Sequence, residues 1–197
     1  MPRVSRAQTE KNHALIKQTS ARLFRERGIG GVSVADLMAA AGLTHGGFYG
    51  HFDSKDALAA AACALAFEET DQRWRDRMRE APDKRAKRAK IAEGYLSERH
   101  RDHSDTGCAA VALAGDVARE PAEAPIRAAY TAGIKSQAAM LADVSDAPTA
   151  QARKRQALVQ LSLMLGAVNL ARATKGDPLS DEILAAAREF LAGPAGD

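Results

Sequence analysis

The sequence predicts an all-α protein of about nine helices. Hydrophobic residues make up 46% of the 197 residues but aromatic residues only 5%, and alanine is abundant, a composition that favours closely packed helices over sheets. Along most of the chain, apolar residues recur at the three- and four-residue spacing of amphipathic helices. No segment alternates as a strand does, and the sequence has no internal repeat of roughly 20 to 50 residues.

Composition also narrows the class of protein. A formal charge of +3 and a pI near 9.0 are compatible with nucleic-acid binding without requiring it. The two cysteines, Cys63 and Cys108, are too few for a disulfide scaffold and form no CxxC motif. Because the chain begins without an apolar leader and has no stretch of about 18 apolar residues, we expect a soluble cytoplasmic protein that does not contact a membrane.

The first half of the chain predicts four helices. A polar, basic arm over residues 1–8 precedes a helix from about Thr9 to Arg27, which Gly28 ends. Residues 32–52 then form two short helices joined by a tight turn, a helix-turn-helix plan suited to the major groove of DNA. A longer, alanine-rich helix follows from about residue 54 to 79.

The two short helices have recognisable ends. Ser33 and Asp36 stand in a capping-box arrangement before the first helix, and Gly42 suits the left-handed conformation that ends it. Thr44 is expected to cap the second helix. Phe48 and Phe52, four residues apart, face inward. The outward residues are His45, Gly46, Gly47, Tyr49 and Gly50.

Five amphipathic segments are predicted after Pro82, over about 83–100, 106–120, 126–144, 149–173 and 180–191. The last two carry broad apolar faces with the small residues Gly166 and Ala167. Such faces do not stay exposed on a soluble monomer, and we expect them to pair with the same helices of a second copy.

The N-terminal residues resemble the TetR/AcrR family of transcriptional regulators over roughly residues 9–60. The resemblance rests on Phe24-x-x-x-Gly28, on Ser33-Val34-Ala35-Asp36-Leu37 and on Ala41-Gly42-Leu43-Thr44-x-Gly46-x-Phe48-Tyr49-x-His51-Phe52-x-Ser54-Lys55-Asp56-x-Leu58. It implies a homodimeric repressor that binds a palindromic operator in double-stranded DNA and is released by a small-molecule effector. It also implies a DNA-binding domain over 1–53 and a ligand-binding and dimerisation domain over 54–197, with no cofactor, no metal and no enzymatic activity.

The predicted DNA-binding residues follow from this resemblance and from the free N–H groups at helix N-termini, which favour phosphates. They are Ser33, Thr44, His45, Gly46, Gly47, Tyr49, His51 and Lys55. The glycines leave few side chains for base contacts and weaken an α-helix by roughly 1 kcal/mol each relative to alanine. We therefore expect specificity to rely on DNA shape.

The resemblance also implies a ligand pocket in the C-terminal helices. Its candidate residues are Trp74, Tyr95, Cys108, Tyr130, Gln137 and Asn169, with His100 as a further polar candidate. For each of them, packing in the core is the alternative interpretation. A run of histidines and aspartates over 100–105 contains metal-ligand side chains, but charged helix ends are common and we predict no metal site.

Cys108 supports an alternative function. The segment Gly107-Cys108-Ala109-Ala110-Val111-Ala112-Leu113 resembles the N-ethylmaleimide-responsive members of the family, which sense electrophiles through that cysteine. If Thr106 caps this helix, Cys108 lies in its first turn, where the helix dipole activates a thiol. A thiol-based electrophile or redox sensor acting through Cys108 is therefore the alternative, whereas a buried cysteine also serves as a small hydrophobic residue.

Overall fold

The computed structural model describes residues 6–192, and within that range the chain forms ten α-helices, one 3₁₀ helix and no strand. The helices are α1 Arg6–Arg27, α2 Val34–Ala40, α3 Lys55–Met78, α4 Lys84–Tyr95, α5 Glu98–Asp102, α6 Ala109–Ala112, α7 Ala114–Arg119, α8 Pro125–Asp143, α9 Ala150–Ala173 and α10 Leu179–Ala192, and the 3₁₀ helix His45–Gly50 lies between α2 and α3. The all-α prediction is confirmed. Most of the predicted N-terminal arm lies outside the described residues.

The chain divides into two compact units. The N-terminal unit comprises the described part of Met1–Glu68 together with Cys108–Ala132. The C-terminal unit comprises Glu69–Gly107 and the described part of Gly133–Asp197. The helices α3 and α8 each contribute residues to both units. The functional division at residue 53 stays a prediction, since these units are defined by packing alone.

The first helix, α1, supplies the core of the N-terminal unit. Its inward residues Ile16, Ser20, Leu23 and Phe24 are at most 3% exposed, in agreement with their helical spacing. Gly28 follows with a φ of 75°. This left-handed conformation suits glycine and ends the helix where the sequence predicted.

Helix α2 has the predicted cap at each end. The Asp36 N–H donates to Ser33 Oγ at 3.1 Å, and the Ser33 N–H donates to the Asp36 carboxylate at 2.9 Å. The Ser33 hydroxyl also donates to the Asp36 carboxylate at 2.6 Å, and this bond, followed by the one from the Ser33 N–H, lowers the pKa of Asp36. Gly42 has a φ of 69°, which allows the Leu43 N–H to donate to Met38 O at 2.9 Å and closes the helix.

The second helix of the predicted pair is a 3₁₀ helix, His45–Gly50, instead of an α-helix. Three of its six residues are glycines, which lower α-helical propensity, and short 3₁₀ turns are common where propensity is weak. Thr44 is at its N-cap but makes no side-chain capping bond, contrary to prediction. Phe48 and Phe52 are 0% and 8% exposed, which agrees with their predicted inward orientation.

Two predicted segments are each broken into two helices, which explains why eleven helices are described and about nine were predicted. Ser97 ends the first segment by accepting the His100 N–H at 3.2 Å and starting α5. In the second, Cys108 and not Thr106 is the N-cap of α6, where its Sγ accepts a backbone N–H at 3.4 Å. Ala114 starts α7 in an exposed position.

The last two helices, α9 and α10, pack against each other in the C-terminal unit. Their shared core includes Leu161, Met164 and Val168 of α9 and Leu184 of α10, all at most 3% exposed. Large apolar side chains also remain at the surface of this pair. They are Leu158, Val159, Leu170, Leu179 and Phe190. None of the helices in residues 6–192 combines the length and apolar character needed to cross a membrane.

Replacing Gly42 by alanine is expected to lower the free energy of unfolding by about 1 kcal/mol, because a Cβ strains a residue in the left-handed region. The strain is purely conformational, since nothing lies within 4 Å of the added atom. Gly46 is the matched control: its surroundings are equally open and its φ is not left-handed. Gly46→Ala should therefore raise stability by roughly 0.5 kcal/mol. Chemical denaturation measures both variants, and equal effects would contradict the role given to Gly42.

Candidate functional site

The surface around the 3₁₀ helix combines exposed residues with a buried aromatic base. Its exposed residues are Thr44, His45, Gly46, Gly47, Tyr49 and Gly50. Beneath them the Phe48 ring packs edge-on against Tyr49 at 5.1 Å and stacks with Phe52 at 6.2 Å, both between ring centroids. The outward surface is therefore held from below by aromatic packing and not by helix propensity.

Two other predicted DNA-binding residues have side chains engaged within the protein, Ser33 by capping and His51 by packing. Ser33 uses both its hydroxyl and its N–H in the capping box with Asp36. His51 is half-buried, and its Nδ1 is buried with no hydrogen-bond partner among the described residues. Its ring lies 6.4 Å from His13 of α1, which itself stacks on Phe52 at 4.5 Å. The packing of α1 therefore positions His51.

The backbone of Ile29 is held by side chains on both sides. Lys55 Nζ, at the start of α3, donates to Ile29 O at 2.7 Å. The Ile29 N–H donates to Asp116 Oδ2 of α7 at 3.0 Å. Asp116 also pairs with Arg119 at 3.0 Å and lies so close to Gly28 that a Cβ there would be 3.1 Å from its carboxylate.

Lys55, Ile29 and Asp116 are called the Ile29 clamp below. The clamp ties the loop between α1 and α2 to both α3 and α7 within the N-terminal unit. Sequence reasoning placed Lys55 near DNA but did not identify Asp116, because no local pattern relates residues 87 positions apart.

The C-terminal unit contains an open cavity of about 250 Å³. On one side, α3 contributes Thr70, Arg73, Trp74 and Arg77, which share one helical face. The remaining wall runs from Gly94 to Gly107, over the end of α4, α5 and the loop that follows.

The base of the cavity is aromatic. Trp74 and Tyr95 are 1% and 2% exposed, and their rings meet edge to face with centroids 5.9 Å apart. Two of the predicted ligand-binding residues therefore line this cavity. Sequence reasoning missed Arg73 and Arg77, although their spacing relative to Trp74 was a usable signal.

His100 is fixed next to Tyr95. Its Nδ1 lies 2.7 Å from Tyr95 O, and because a carbonyl oxygen only accepts, Nδ1 carries a proton. Burial lowers the pKa of His100 to about 4; the bond to Tyr95 opposes this shift, and the charges of Arg172, Arg73 and Arg77 add to it. His100 is therefore a neutral imidazole at pH 7.

The remaining predicted ligand-binding residues lie elsewhere. Cys108 and Tyr130 belong to the N-terminal unit, where the Tyr130 hydroxyl donates to Ala110 O at 2.6 Å. Gln137 is 0% exposed, and Asn169 is on the exposed side of α9.

The thiol predicted as a sensor is buried. Cys108 is 1% exposed. Burial raises the pKa of Cys63 to about 12, with a further contribution from the neighbouring Cys108. Burial likewise raises the pKa of Tyr130 to about 12, with contributions from both cysteines. The three side chains are neighbours, and Cys63 and Tyr130 stay protonated at neutral pH.

Charged side chains of the run at residues 100–105 form ion pairs within the protein. Asp102 contacts Arg101 at 2.9 Å and Lys175 at 3.0 Å. The hydrogen bonds from these cations, Arg101 first, hold the pKa of its carboxyl well below the usual range. Within residues 6–192, no group of three or more histidine, cysteine, aspartate or glutamate side chains is arranged to hold a metal ion.

Comparison with known proteins places the N-terminal residues in a described family. Residues 16–62 match the family model of bacterial regulatory proteins, tetR family. A stretch of 54 residues is 41% identical to the uncharacterized HTH-type transcriptional regulator YerO of Bacillus subtilis (strain 168). That match covers 27% of this chain and 18% of YerO, so it spans less than a fifth of that relative's length.

Solved structures share the fold over nearly the whole chain. The TetR-family transcriptional regulator from Cytophaga hutchinsonii aligns with a TM-score of 0.78 at 20% identity, covering 98% of each chain. The reduced form of E. coli NemR aligns with a TM-score of 0.75 at 21% identity, covering 90% of this chain and 95% of that one. At these identities the likeness shows the fold alone.

The helix-turn-helix lies in the part of the chain, residues 16–62, that matches the tetR-family model. The fold is similar to that of a TetR-family transcriptional regulator of known structure. Its helices follow the plan of that family, an N-terminal helix-turn-helix domain and a C-terminal helical domain.

Proposed function

We propose that this regulator is a repressor that binds a palindromic operator as a homodimer and leaves the DNA when a small molecule occupies the cavity. The observation that carries the proposal is the double role of α3. Its first residue, Lys55, closes the Ile29 clamp, and its last turns, from Thr70 to Arg77, line the cavity. The proposal places the protein in the cytoplasm and assigns it no catalytic activity.

The coupling requires a difference in affinity. A ligand shifts the balance between a DNA-binding and a DNA-free arrangement only if it binds the second more tightly. Couplings of this kind are typically about 1 to 3 kcal/mol. A ligand that repositions the cavity end of α3 acts on the same helix that anchors the loop before α2, which gives the difference a physical route.

We assign contacts with phosphates and with bases to different residues. Tyr49 and Thr44 are exposed and take phosphate contacts, together with Lys55, whose ammonium has donors beyond the one given to Ile29. Ser33 and His51, which are engaged or half-buried, take supporting contacts. His45 is the side chain available to base edges. Gly46 and Gly47 offer backbone only, so specificity relies on DNA shape.

Tyr49→Ala is expected to weaken binding about tenfold, because a hydrogen bond to a charged phosphate is lost. Lys55→Met should also weaken binding and reduce the slope of log affinity against log salt by about 0.9 per subunit, since a phosphate-neutralising charge is removed. Both are measured by fluorescence anisotropy on a duplex selected in vitro from a random pool and on an unrelated duplex.

The matched controls separate contact from folding. Lys154→Met removes an exposed lysine of α9 and should leave the salt slope unchanged. Thermal denaturation of Lys55→Met measures the loss of the Ile29 clamp independently of DNA. Unchanged affinity of Tyr49→Ala on both duplexes would show that the phosphate contacts are misassigned.

The homodimer is supported by the outer face of α9 and α10. Val159, Leu170 and Phe190 are 58%, 56% and 74% exposed, a large exposed fraction for apolar side chains. Gly166 lies between the first two on the same side of α9, and nothing is within 4 Å of the position of its missing Cβ. A second helix can therefore approach closely. Two-fold pairing of such helices presents two DNA-contacting segments about 34 to 36 Å apart, or a multiple of this, for two half-sites.

Phe190→Glu and Leu170→Glu are each expected to produce monomers, because an unpaired charge would be buried at the proposed interface. Operator affinity should fall about a hundredfold or more as the two half-sites are no longer bound together. Sedimentation velocity at micromolar protein reports the mass. Lys154→Glu, on the opposite side of α9, is the control that should remain dimeric, and a wild-type monomer at these concentrations would refute the dimer.

The alternative function is a thiol sensor acting through Cys108. Its support is the position of Cys108 at the N-cap of α6. Against it, the side chain is 1% exposed, and α6 is a single turn with little dipole to activate a thiol. The cavity, by contrast, is open to solvent. This difference in access favours a bound ligand over thiol modification as the signal.

Stoichiometric N-ethylmaleimide is expected to leave operator affinity of the native protein unchanged, because neither cysteine is accessible. Mass spectrometry should find unmodified thiols until denaturant is added. Rapid DNA release by the reagent, abolished by Cys108→Ser but retained by Cys63→Ser, would instead establish the alternative. The two single variants control for each other, as the chain has two cysteines.

A further inference from the structure

The cavity of the C-terminal unit is lined by cations. The residues around it include the three arginines Arg73, Arg77 and Arg99, and none of its lining residues is an aspartate or glutamate. A concave surface lined by one sign of charge concentrates ligands of the other sign.

Arg77 and Arg99 lie close enough for their charges to interact. Burial, followed by the charge of Arg99, lowers the pKa of Arg77, and Glu93 opposes this only in part. Within residues 6–192, no carboxylate lies at ion-pair distance from the guanidinium of Arg77 or Arg99. Asp71, on the same helix as Arg77, accepts a hydrogen bond from Ser136 at 2.5 Å. Positive charges held close together without partners are unfavourable, and an anion between them relieves the repulsion.

Gly94 leaves room for the guanidinium of Arg77. A Cβ on Gly94 would lie 2.3 Å from Arg77 Cζ and 2.4 Å from its Nη1. The guanidinium therefore lies against the backbone of α4, in space that any other residue would fill. The position of this cation at the rim is thus determined by the absence of a side chain on the facing helix.

The remaining surface is apolar or neutral. Trp74 and Tyr95 form the base, and His100 is held as a neutral ring with Nδ1 on Tyr95 O. Arg73 is oriented by donating to Thr70 Oγ1 at 2.8 Å. Guanidinium groups at a rim bind carboxylate and phosphate oxygens in a planar, two-bond manner, and aromatic rings beneath them suit a flat apolar body.

We propose that the effector is a small organic anion, a carboxylate or phosphate on a planar apolar body, whose charged group binds Arg77 and Arg99 and whose body packs on Trp74 and Tyr95. The inference rests on the proposed function only where it names this occupant as the effector. Binding of the anion to the cavity is a separate property of the protein.

Four compounds on one ring test the charge: benzoate, phenyl phosphate, benzamide and benzamidine. Trp74 is the single tryptophan of the chain, so its fluorescence in the full-length protein reports occupancy of the cavity. We expect at least one of the two anions to give a saturable change and a higher melting temperature. Benzamide should bind at least about tenfold more weakly, the loss of one charge-assisted hydrogen bond, and benzamidine should have no effect. The anion that binds with the higher affinity identifies the charged group, carboxylate or phosphate, that the cavity prefers.

Variants test the geometry. Arg77→Gln and Arg99→Gln should each weaken anion binding about tenfold. Arg75→Gln removes the same charge from an exposed position of α3 outside the cavity and should bind as the wild type does. Gly94→Ala should weaken binding with no charge removed, because it displaces the Arg77 guanidinium. The ligand-free Gly94→Ala protein should be at least as stable as the wild type, since alanine favours the helix.

Three results would overturn the proposal: no saturable response to either anion at millimolar concentration, equal binding of benzamidine and benzoate, or anion binding that neither Arg77→Gln nor Gly94→Ala weakens. Operator binding measured in parallel separates this inference from the proposed function. Anion binding without DNA release supports the anion site and contradicts release through this cavity. DNA release by benzamide or benzamidine, with a change at Trp74, supports the proposed function and contradicts an anionic effector.

Discussion

The Ile29 clamp is the interaction on which the position of the helix-turn-helix within the N-terminal unit depends. Ile29 is 8% exposed, and a buried peptide group without partners costs free energy comparable to a lost hydrogen bond. Both of its groups are satisfied by charged side chains, one from α3 and one from α7. Since α2 begins a few residues later, the entry of the helix-turn-helix is held by a residue of α7, far along the chain.

The helix α3 carries a residue of this clamp and several residues that line the cavity. It is 24 residues long, about 36 Å of continuous helix, and its two ends carry different chemistry. Lys55 at the start donates a hydrogen bond to the Ile29 carbonyl and is one of the proposed phosphate contacts. Arg73 and Arg77 near the end face a cavity without acidic lining residues.

The 3₁₀ segment shows how the proposed DNA-contacting surface is ordered without helical propensity. Its glycines are unfavourable in an α-helix, yet Phe48 is fully buried and Tyr49 packs on its edge. The aromatic base supplies the order that the backbone lacks. The same glycines leave His45 and Tyr49 as the main outward side chains. This suits the proposed mode of binding, in which contacts with phosphates and recognition of DNA shape outweigh contacts with base edges.

Local sequence determined the all-α class and the caps of α2. The pattern placed Phe48 inside, and Ser33 and Gly42 at the ends of α2, because these features depend on neighbours within one or two turns. Tertiary structure decided the rest. The bond from Ile29 to Asp116 and the place of Arg77 against Gly94 join residues far apart in the chain, and the burial of Cys108 depends on the packing around it. No periodicity encodes such contacts, since they exist only when separate helices have packed.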